Sequence, residues 1–493
     1  MKNKFRVLFL SSEVAPFAKT GGLADVSSSL PKALFELDHD IRVIMPKYGV
    51  ISERRHILRE VIRLKRIPVR MGGLEYVTSA RSAFLPNSKV QIYFLDYKPF
   101  FGRHDLYVDS TSHADFPDNA ERFMLFCRSV LEIIRLLHWQ PQIIHCNDWQ
   151  TAMIPWLLKY EFADDPFFAG IRTILTVHNM AYQGSFPREV MPKIGLDPNR
   201  QESEEAVIYD RVNFLKAGIL SANLITTVSP TYAREIQEIQ ELGAGLGEIL
   251  KARSQDLYGI LNGIDETVWN PETDTFLPYK YSAATLDLKL KNKQVLLERA
   301  GLPIDEKTPV IGMVSRLVEQ KGFDLVIEAF EKLMSLNCRL VVLGEGEAGY
   351  VEFFKEAMKR FPQQTAAFFD LNEELAHLIE AGSDMFLMPS RFEPCGLNQM
   401  YSMKYGTLPI VRKTGGLADT VIDFISDPER GTGFVFEPYT ANALLAAVQN
   451  ALFTYRDERT WRKIQKRAMK MDFSWKASAE NYSKIYQQLL AQQ

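Results

Sequence analysis

Ten short apolar runs, separated by longer stretches with helical periodicity, constrain the fold more than any other feature of this sequence. The runs are rich in β-branched residues and often end in Gly, Asn, Asp or Ser. Continuous apolarity is typical of strands that are buried on both faces of a parallel sheet, and the strand–helix alternation predicts doubly wound α/β domains. The predicted strands are Phe5–Ser11, Ile41–Pro46, Val90–Asp96, Ile143–Asp148, Ile171–Asn179, Leu224–Ser229, Val310–Ser315, Arg339–Gly344, Met385–Ser390 and Leu408–Arg412.

The length of the chain, 493 residues, exceeds what one hydrophobic core usually supports, so two domains are expected. The first strand–helix series ends near Tyr258, and the second begins near Pro309 after a polar stretch. We predict an N-terminal Rossmann-like domain over residues 1–258 and a C-terminal one over 259–473. Apolar residues at helical spacing predict a terminal amphipathic helix over 474–493.

Charge and cysteine content exclude several classes of protein. Lys and Arg total 58 against 61 Asp and Glu, a net charge of -3, which leaves no electrostatic footprint for nucleic acid. No apolar stretch is long enough for a signal peptide or a membrane span, so we expect no membrane contact. The four cysteines are scattered, without the spacing of a zinc site, and favour a reducing, cytoplasmic setting. We expect no metal and no other cofactor.

A seven-residue segment occurs twice: Lys19–Asp25 and Lys413–Asp419 are identical. Each copy follows an apolar strand and opens a helical pattern. The repeat indicates either a shared strand-to-helix turn or two related domains that face one ligand, and only one copy need touch that ligand. In the first copy, Gly21 and Gly22 would leave N–H groups at a helix start free for a pyrophosphate, with Lys19 beside them. The alternative is an ordinary turn with a solvated lysine.

Two polar clusters follow strands in the second half of the chain, where ligands of open α/β sheets gather. Arg316 can fork onto two phosphate oxygens, and Lys321 acts as a point charge. As a strand-end lysine, Lys321 should barely affect folding when it is replaced by Ala. Glu393 can accept hydrogen bonds from sugar hydroxyls, and Gly396 leaves backbone open to a close ligand. The alternatives are a solvated basic loop, a plain strand–helix turn, and a buried filler role for Cys395.

Asp148 and His178 follow strands in the first half of the chain, and together they indicate a rim that faces the cleft between the two domains. A lone histidine is more often structural than functional. Asn262 lies at the junction between the two series, where a plain turn would also explain it.

These motifs together resemble the family of bacterial glycogen synthases and plant starch synthases. The likeness covers nearly the whole chain and is carried by KTGGLADV at 19–26, HNMAYQG at 178–184, LNGID at 261–265, PSRFEPCGL at 389–397 and KYGTLPIVRKTGGLADT at 404–420. The resemblance implies two Rossmann-like domains facing a deep cleft, the GT-B type. It implies transfer of glucose from ADP-glucose to the non-reducing end of an α-1,4-glucan, with retention of configuration, and a terminal helix that packs back on the first domain.

Carried over position by position, the resemblance assigns roles to the residues named above. The family positions that contact the donor phosphates are matched by Lys19, Arg316 and Lys321. Those around the transferred glucose are matched by Asp148, His178, Asn262 and Glu393. The loop that closes over the glucose is matched by Cys395, Gly396 and Leu397.

The expected reaction is front-face attack by the acceptor hydroxyl, with the leaving phosphate taking its proton. A transferase that uses UDP-glucose and an inactive glucan-binding homologue are the alternatives. Two positions depart from the family pattern: Gln150 replaces a His, and Phe101 stands where a Tyr near the nucleotide is expected.

Overall fold

The computed structural model describes residues 4–491, and the chain divides into two compact units. The N-terminal unit comprises the described residues within Met1–Val228, Ala233–Ile260 and Trp475–Gln493, and the C-terminal unit comprises Ser229–Tyr232 and Leu261–Ser474. Each unit is built on a mainly or wholly parallel sheet with helical connections, so the predicted doubly wound α/β architecture is confirmed.

The main sheet of the N-terminal unit runs in the order β13-β12-β8-β7-β1-β2-β6-β5-β3, and β4 also pairs with β5. The strands from β13 to β6 in this order are parallel, whereas β3, β4 and β5 pair antiparallel at one edge. A second, antiparallel sheet has the order β10-β11-β9. The strands are β1 (Arg6–Leu10), β2 (Asp40–Pro46), β3 (Arg59–Glu60), β4 (Ile67–Met71), β5 (Leu74–Phe84), β6 (Gln91–Asp96), β7 (Ile143–Asn147), β8 (Arg172–Val177), β9 (Ser185–Pro187), β10 (Val207–Ile208), β11 (Arg211–Asn213), β12 (Leu224–Thr227) and β13 (Leu257–Gly259).

The helices of the first half of the chain connect these strands. They are α1 (Gly22–Glu36), α2 (Lys98–Phe101), α3 (Asn119–Leu136), α4 (Met153–Tyr160), α5 (Met191–Ile194), α6 (Gln201–Glu204), α7 (Phe214–Ser221), α8 (Pro230–Glu238), α9 (Gln240–Gly243) and α10 (Gly247–Ala252). The longest of them, α3, has a completely buried run from Asn119 to Leu131 apart from Glu121. This helix is therefore a central support of the unit.

The C-terminal unit has six parallel strands in the order β16-β15-β14-β17-β18-β19. Its strands are β14 (Val310–Val314), β15 (Arg339–Leu343), β16 (Thr365–Phe368), β17 (Met385–Met388), β18 (Leu408–Arg412) and β19 (Phe434–Phe436). Its helices are α11 (Asp287–Arg299), α12 (Phe323–Ser335), α13 (Ala348–Arg360), α14 (Glu373–Gly382), α15 (Asn398–Lys404), α16 (Gly415–Thr420), α17 (Ala441–Tyr455) and α18 (Glu458–Ala468). Separate hydrophobic clusters join the sheet to α12, α17 and α18 and to α11 and α14.

The last helix, α19 (Trp475–Ala491), packs against α1 in the N-terminal unit. Its buried residues recur at helical spacing, as predicted, although residues 492 and 493 of the predicted helix lie outside the described residues. The Tyr486 hydroxyl lies 2.8 Å from His145 Nδ1, and His145 Nε2 lies 2.6 Å from Thr176 Oγ1. His39 Nε2 lies 2.9 Å from Ser483 Oγ. His145 of β7 and His39, which precedes β2, therefore hold the helix through buried or half-buried hydrogen bonds.

All ten predicted strands are present, within two residues at each end. The prediction missed the half-exposed antiparallel strands, such as β5, and very short ones such as β16 and β19, because neither kind forms a long apolar run. No helix within residues 4–491 combines the length and the apolarity needed to cross a membrane.

Candidate active site

In the N-terminal unit, the candidate residues follow three neighbouring parallel strands. The strands β1, β7 and β8 are adjacent, so the residues after their carboxyl ends meet at one sheet edge. Asp148 follows β7, His178 follows β8, and the first Lys19–Asp25 segment comes after β1. Asp148 and His178 are therefore neighbours within this unit, and the rim predicted from them stays a prediction.

Asp148 is a half-buried carboxylate that holds the loop after β8. Its backbone adopts the left-handed region with a φ of 56°, which Asp and Asn tolerate better than other side chains. Its Oδ1 accepts a hydrogen bond of 2.7 Å from the His178 backbone N–H, and the Asn179 backbone N–H donates to the same carboxylate. Burial, with a smaller contribution from the negative charge of Glu13, raises the pKa of Asp148 from an ordinary 3.8 to about 7.

His178 is a neutral imidazole with a fixed orientation. Its Nε2 lies 3.0 Å from Asn147 Oδ1, and the Asn147 side-chain amide donates to the Leu10 carbonyl at 2.9 Å. Because Asn147 Oδ1 can only accept, His178 Nε2 carries the proton. Burial lowers the pKa of His178 to about 4, so its Nδ1 is an acceptor at neutral pH.

The two identical seven-residue segments have different surroundings. A Cβ placed on Gly21 or Gly22 of the first copy would meet no other atom within 4 Å. In the second copy, a Cβ on Gly415, which has a φ of 43°, would lie 1.9 Å from the Glu393 carbonyl oxygen, and one on Gly416 would lie 2.0 Å from that of Cys395. The second pair of glycines is therefore required by close packing under the 393–397 loop, whereas the first pair faces open space.

The first copy does not present all of its N–H groups to solvent. The Thr20 and Gly21 N–H groups donate to the side chain of Glu13, at 2.5 and 3.3 Å. The expectation of free N–H groups therefore holds at most from Gly22 onward, where α1 begins. Lys19 Nζ lies 2.8 Å from Asp25 Oδ1, and both side chains are largely exposed.

In the C-terminal unit, the candidate residues follow the adjacent strands β14 and β17. Lys321 Nζ lies 2.6 Å from Glu393 Oε2, and the Ser390 hydroxyl donates to the same oxygen at 3.1 Å. Glu393 is only 5% exposed. Arg316 is exposed, and its guanidinium has no ion-pair partner among residues 4–491. This edge therefore combines an ion pair with an available cation.

The position of Lys321 contradicts the expectation that its loss would barely affect folding. The side chain is 19% exposed and compensates a carboxylate whose side chain is 7% exposed. Removing one member of a buried ion pair leaves an uncompensated charge, which is strongly destabilising. Lys321 is therefore a structural residue as well as a candidate binding residue.

Hydrogen bonds from the Gln399 side chain hold the loop of residues 393–397. The Gln399 side-chain amide donates to the carbonyl oxygens of Cys395 and Gly396, at 3.1 and 3.0 Å, and Leu397 precedes α15. Burial raises the pKa of the Cys395 thiol to about 12, which agrees with a filler role. The Asn262 backbone N–H bonds to the Cys395 sulfur, and Asn262 Oδ1 is buried with no hydrogen-bond partner in the described part of the chain.

Two family models match the two halves of the chain separately. Residues 6–252 match the family model of the starch synthase catalytic domain, and residues 296–470 match that of glycosyl transferases group 1. A glycogen synthase of Anaeromyxobacter sp. (strain Fw109-5) is 46% identical over 98% of this chain and 99% of the relative. The chain belongs to the glycogen and starch synthase family. A glycogen synthase of Syntrophotalea carbinolica is 45% identical over 97% of this chain and 98% of the relative.

A solved structure is also similar to this member of the glycogen and starch synthase family. The catalytic domain of starch synthase IV from Arabidopsis thaliana, bound to ADP and acarbose, is 34% identical and covers 99% of this chain and 100% of that chain, with a TM-score of 0.88. The GT-B fold that the sequence motifs implied is thereby confirmed.

Sequence motifs missed several residues of this family member's candidate site. Glu13, Tyr107, Asn147 and Gln399 make hydrogen bonds that orient the predicted residues, but each bond joins side chains or backbone through the folded structure and leaves no local pattern. Phe101, which departs from the family pattern, has a side chain that is completely buried. Within residues 4–491, no group of three or more His, Cys, Asp or Glu side chains could hold a metal ion.

The glycine contrast predicts opposite effects of one substitution at two positions. Gly22→Ala should leave stability unchanged within about 1 kcal/mol, because the helix start gains a Cβ in open space, but should raise KM for the nucleotide donor. Gly416→Ala should cost about 2 kcal/mol or more, because its Cβ overlaps a carbonyl oxygen. Urea unfolding and donor kinetics measure both effects. Equal destabilisation of the two variants would contradict the contrast.

The raised pKa of Asp148 predicts that a neutral residue at this position increases stability but lowers activity. Folding raises this pKa, so the ionised form is disfavoured in the folded state, and the stability cost develops as pH rises from about 4 to about 7. Asp148→Asn keeps an acceptor for the His178 N–H and tolerates the left-handed backbone. The variant should lose activity. At pH 8, however, its free energy of unfolding should exceed that of the wild-type protein by up to ~4 kcal/mol, and its unfolding temperature should be higher. The advantage should vanish near pH 4, and a pH-independent difference would contradict this account.

The buried ion pair predicts that Lys321→Ala is destabilised by about 3 kcal/mol and reduces kcat/KM by roughly 100-fold. The double variant Lys321→Ala/Glu393→Gln should regain stability, because no charge remains buried, without regaining activity. Lys355→Ala, which removes the exposed ion pair with Glu352 on the same helix, is the matched control and should lower the free energy of unfolding by less than about 1 kcal/mol. A Lys321→Ala protein as stable as this control would show that the pair is not structurally important.

Proposed function

We propose that this chain transfers glucose from ADP-glucose to the non-reducing end of an α-1,4-glucan with retention of configuration. The observation that carries the proposal is the Lys321–Glu393 ion pair in a chain 46% identical to a glycogen synthase over nearly its whole length. The related starch synthase IV structure was bound to ADP and acarbose, which supports an adenine nucleotide donor and a carbohydrate acceptor.

The cations stabilise the departing phosphate. The guanidinium of Arg316 contacts two phosphate oxygens, and Lys321, with one N–H committed to Glu393, directs its remaining N–H groups to the phosphate. Lys19, beside the open turn of Gly21 and Gly22, supplies a further charge. Fixed charges that meet the developing negative charge of ADP lower the barrier to its departure.

The transferred glucose is held by acceptor groups. Glu393 accepts hydrogen bonds from sugar hydroxyls, and the unpartnered Asn262 Oδ1 offers a second acceptor. The neutral His178 accepts through Nδ1, while Asp148 fixes the loop that carries it. The loop of Cys395, Gly396 and Leu397 covers the sugar. These groups orient the glucose and do not bond covalently to it.

In the reaction step, the bond between the anomeric carbon and the phosphate oxygen breaks, and a bond from the acceptor hydroxyl oxygen to that carbon forms on the same face. The hydroxyl proton passes to the leaving phosphate oxygen. We also place the protein in the cytoplasm, because its four cysteines are free and buried.

Transfer of labelled glucose to glycogen tests the donor. We expect ADP-glucose to be used faster than UDP-glucose by roughly 100-fold or more, without an added divalent metal, because a site built for one base leaves polar groups unpaired with another. Glu393→Gln serves as the low-activity control. Equal rates with the two donors would contradict the donor assignment, and no transfer from either would contradict the activity.

A further inference from the structure

Glu13 is a buried carboxylate to which the proposed reaction gives no role. It lies three residues after β1 and is 4% exposed. Its backbone is fixed by Ser11, whose hydroxyl donates to the Glu13 carbonyl oxygen at 2.7 Å and is itself bonded by the Ser27 hydroxyl at 2.8 Å. The carboxylate therefore projects from a rigid strand end.

Both oxygens of this carboxylate bind the first Lys19–Asp25 segment. Oε2 accepts hydrogen bonds from the backbone N–H groups of Thr20 and Gly21, and Oε1 accepts one of 2.6 Å from the Thr20 hydroxyl. Thr20 is thus held through its backbone and its side chain by one residue. The turn between Lys19 and Gly22 cannot rotate without breaking these bonds.

A third segment of the chain meets Glu13 at the same oxygen. The Tyr107 hydroxyl lies 2.8 Å from Glu13 Oε1 and 2.7 Å from Ser12 Oγ. The Tyr107 backbone carbonyl accepts from the Asn119 side chain at the start of α3. Glu13 consequently joins the end of β1, the glycine turn and the segment before α3.

The charge of Glu13 has no cation beside it, since no Lys or Arg of residues 4–491 forms an ion pair with this carboxylate. Four hydrogen bonds alone stabilise a charge whose burial is costly. Three of these bonds fix a turn with two consecutive exposed glycines, the residues with the greatest backbone freedom. No contact within the protein requires those glycines, since the space beside them is open.

We propose that Glu13 is a positioning residue, whose carboxylate fixes the Lys19–Gly22 turn in the conformation that receives the donor phosphates. The inference rests on the proposed function. Glu13 acts through the turn and does not touch the donor, since its oxygens are already occupied by Thr20, Gly21 and Tyr107. A loose turn would need to be ordered at each binding event, which lowers affinity for the donor.

The test compares Glu13→Gln with the wild-type protein. Glutamine has the same length, but its amide nitrogen cannot accept, so the bonds at one side of the turn are lost together with the charge. We expect KM for ADP-glucose and Kd for ADP, measured by calorimetry, to rise about tenfold. KM for glycogen should stay within twofold, and kcat should change less than KM for the donor.

Two further variants separate positioning from general destabilisation. Glu161→Gln breaks a bidentate bond to Arg128 in the same unit, at 2.7 Å for each contact, and should lower Tm without changing KM for ADP-glucose. Thr20→Val removes one hydrogen bond to Glu13. Because Thr20 is exposed, the substitution should leave the fold intact, and it should raise KM for ADP-glucose about threefold.

Two outcomes would overturn the proposal. In the first, KM for the donor and affinity for ADP are unchanged in both Glu13→Gln and Thr20→Val. In the second, KM rises equally for the donor and for glycogen, and Glu161→Gln shows the same rise. Failure of the proposed function is distinct, since the wild-type protein would then transfer no glucose from ADP-glucose. Calorimetry with ADP still measures the turn in that case, and a wild-type protein that binds no ADP would overturn the role of Glu13 as well.

Discussion

The loops around three carboxylates that follow parallel strands depend on the donors that each carboxylate binds, and two of the three, Glu13 and Glu393, are buried. Glu13 follows β1 and is stabilised by N–H and O–H donors. Asp148 follows β7 and receives backbone N–H groups, and Glu393 follows β17 and receives Lys321. Burial of a charge is costly, so each of these side chains dictates where its donors lie. The carboxylates thus organise loops that the apolar cores of the sheets leave unspecified.

The identical segments at residues 19–25 and 413–419 show that local sequence does not decide local role. Both copies follow a strand and begin a helix, as their Gly-Gly pairs allow. Under the second copy lies the backbone of Glu393 and Cys395, which fills the space that a side chain would need. Beside the first copy there is no such neighbour, and Glu13 supplies the constraint instead. The same residues therefore support a loop in one unit and leave a surface open in the other.

The sequence was sufficient for ten of the parallel strands and for the residues that follow them, because both leave local signals, whereas the short parallel strands β13, β16 and β19 were missed. Apolar runs located β7, β8, β14 and β17, and the rule that ligands gather at strand ends pointed to Asp148 and Lys321. Bonds between distant segments could not be predicted, since Lys321 and Glu393 are 72 residues apart and Tyr107 and Glu13 are 94 apart. The error about the stability role of Lys321 has this cause. The binding roles of all these residues remain proposals.

The cations of the two units are not equally available to a ligand. Lys19 is engaged by Asp25 and Lys321 by Glu393, whereas Arg316 has no ion-pair partner within the described residues. The side chains of the Lys19–Asp25 pair are 54% and 36% exposed, so the pair is weak, and the proposed phosphate contact of Lys19 would displace Asp25 at little cost. The Lys321 pair is mostly buried, and its separation would leave Glu393 without a cation, so the proposed phosphate contact of Lys321 requires that the ion pair stays intact. An ammonium group has three donors, so a lysine at this position can keep the ion pair and make the proposed phosphate contact.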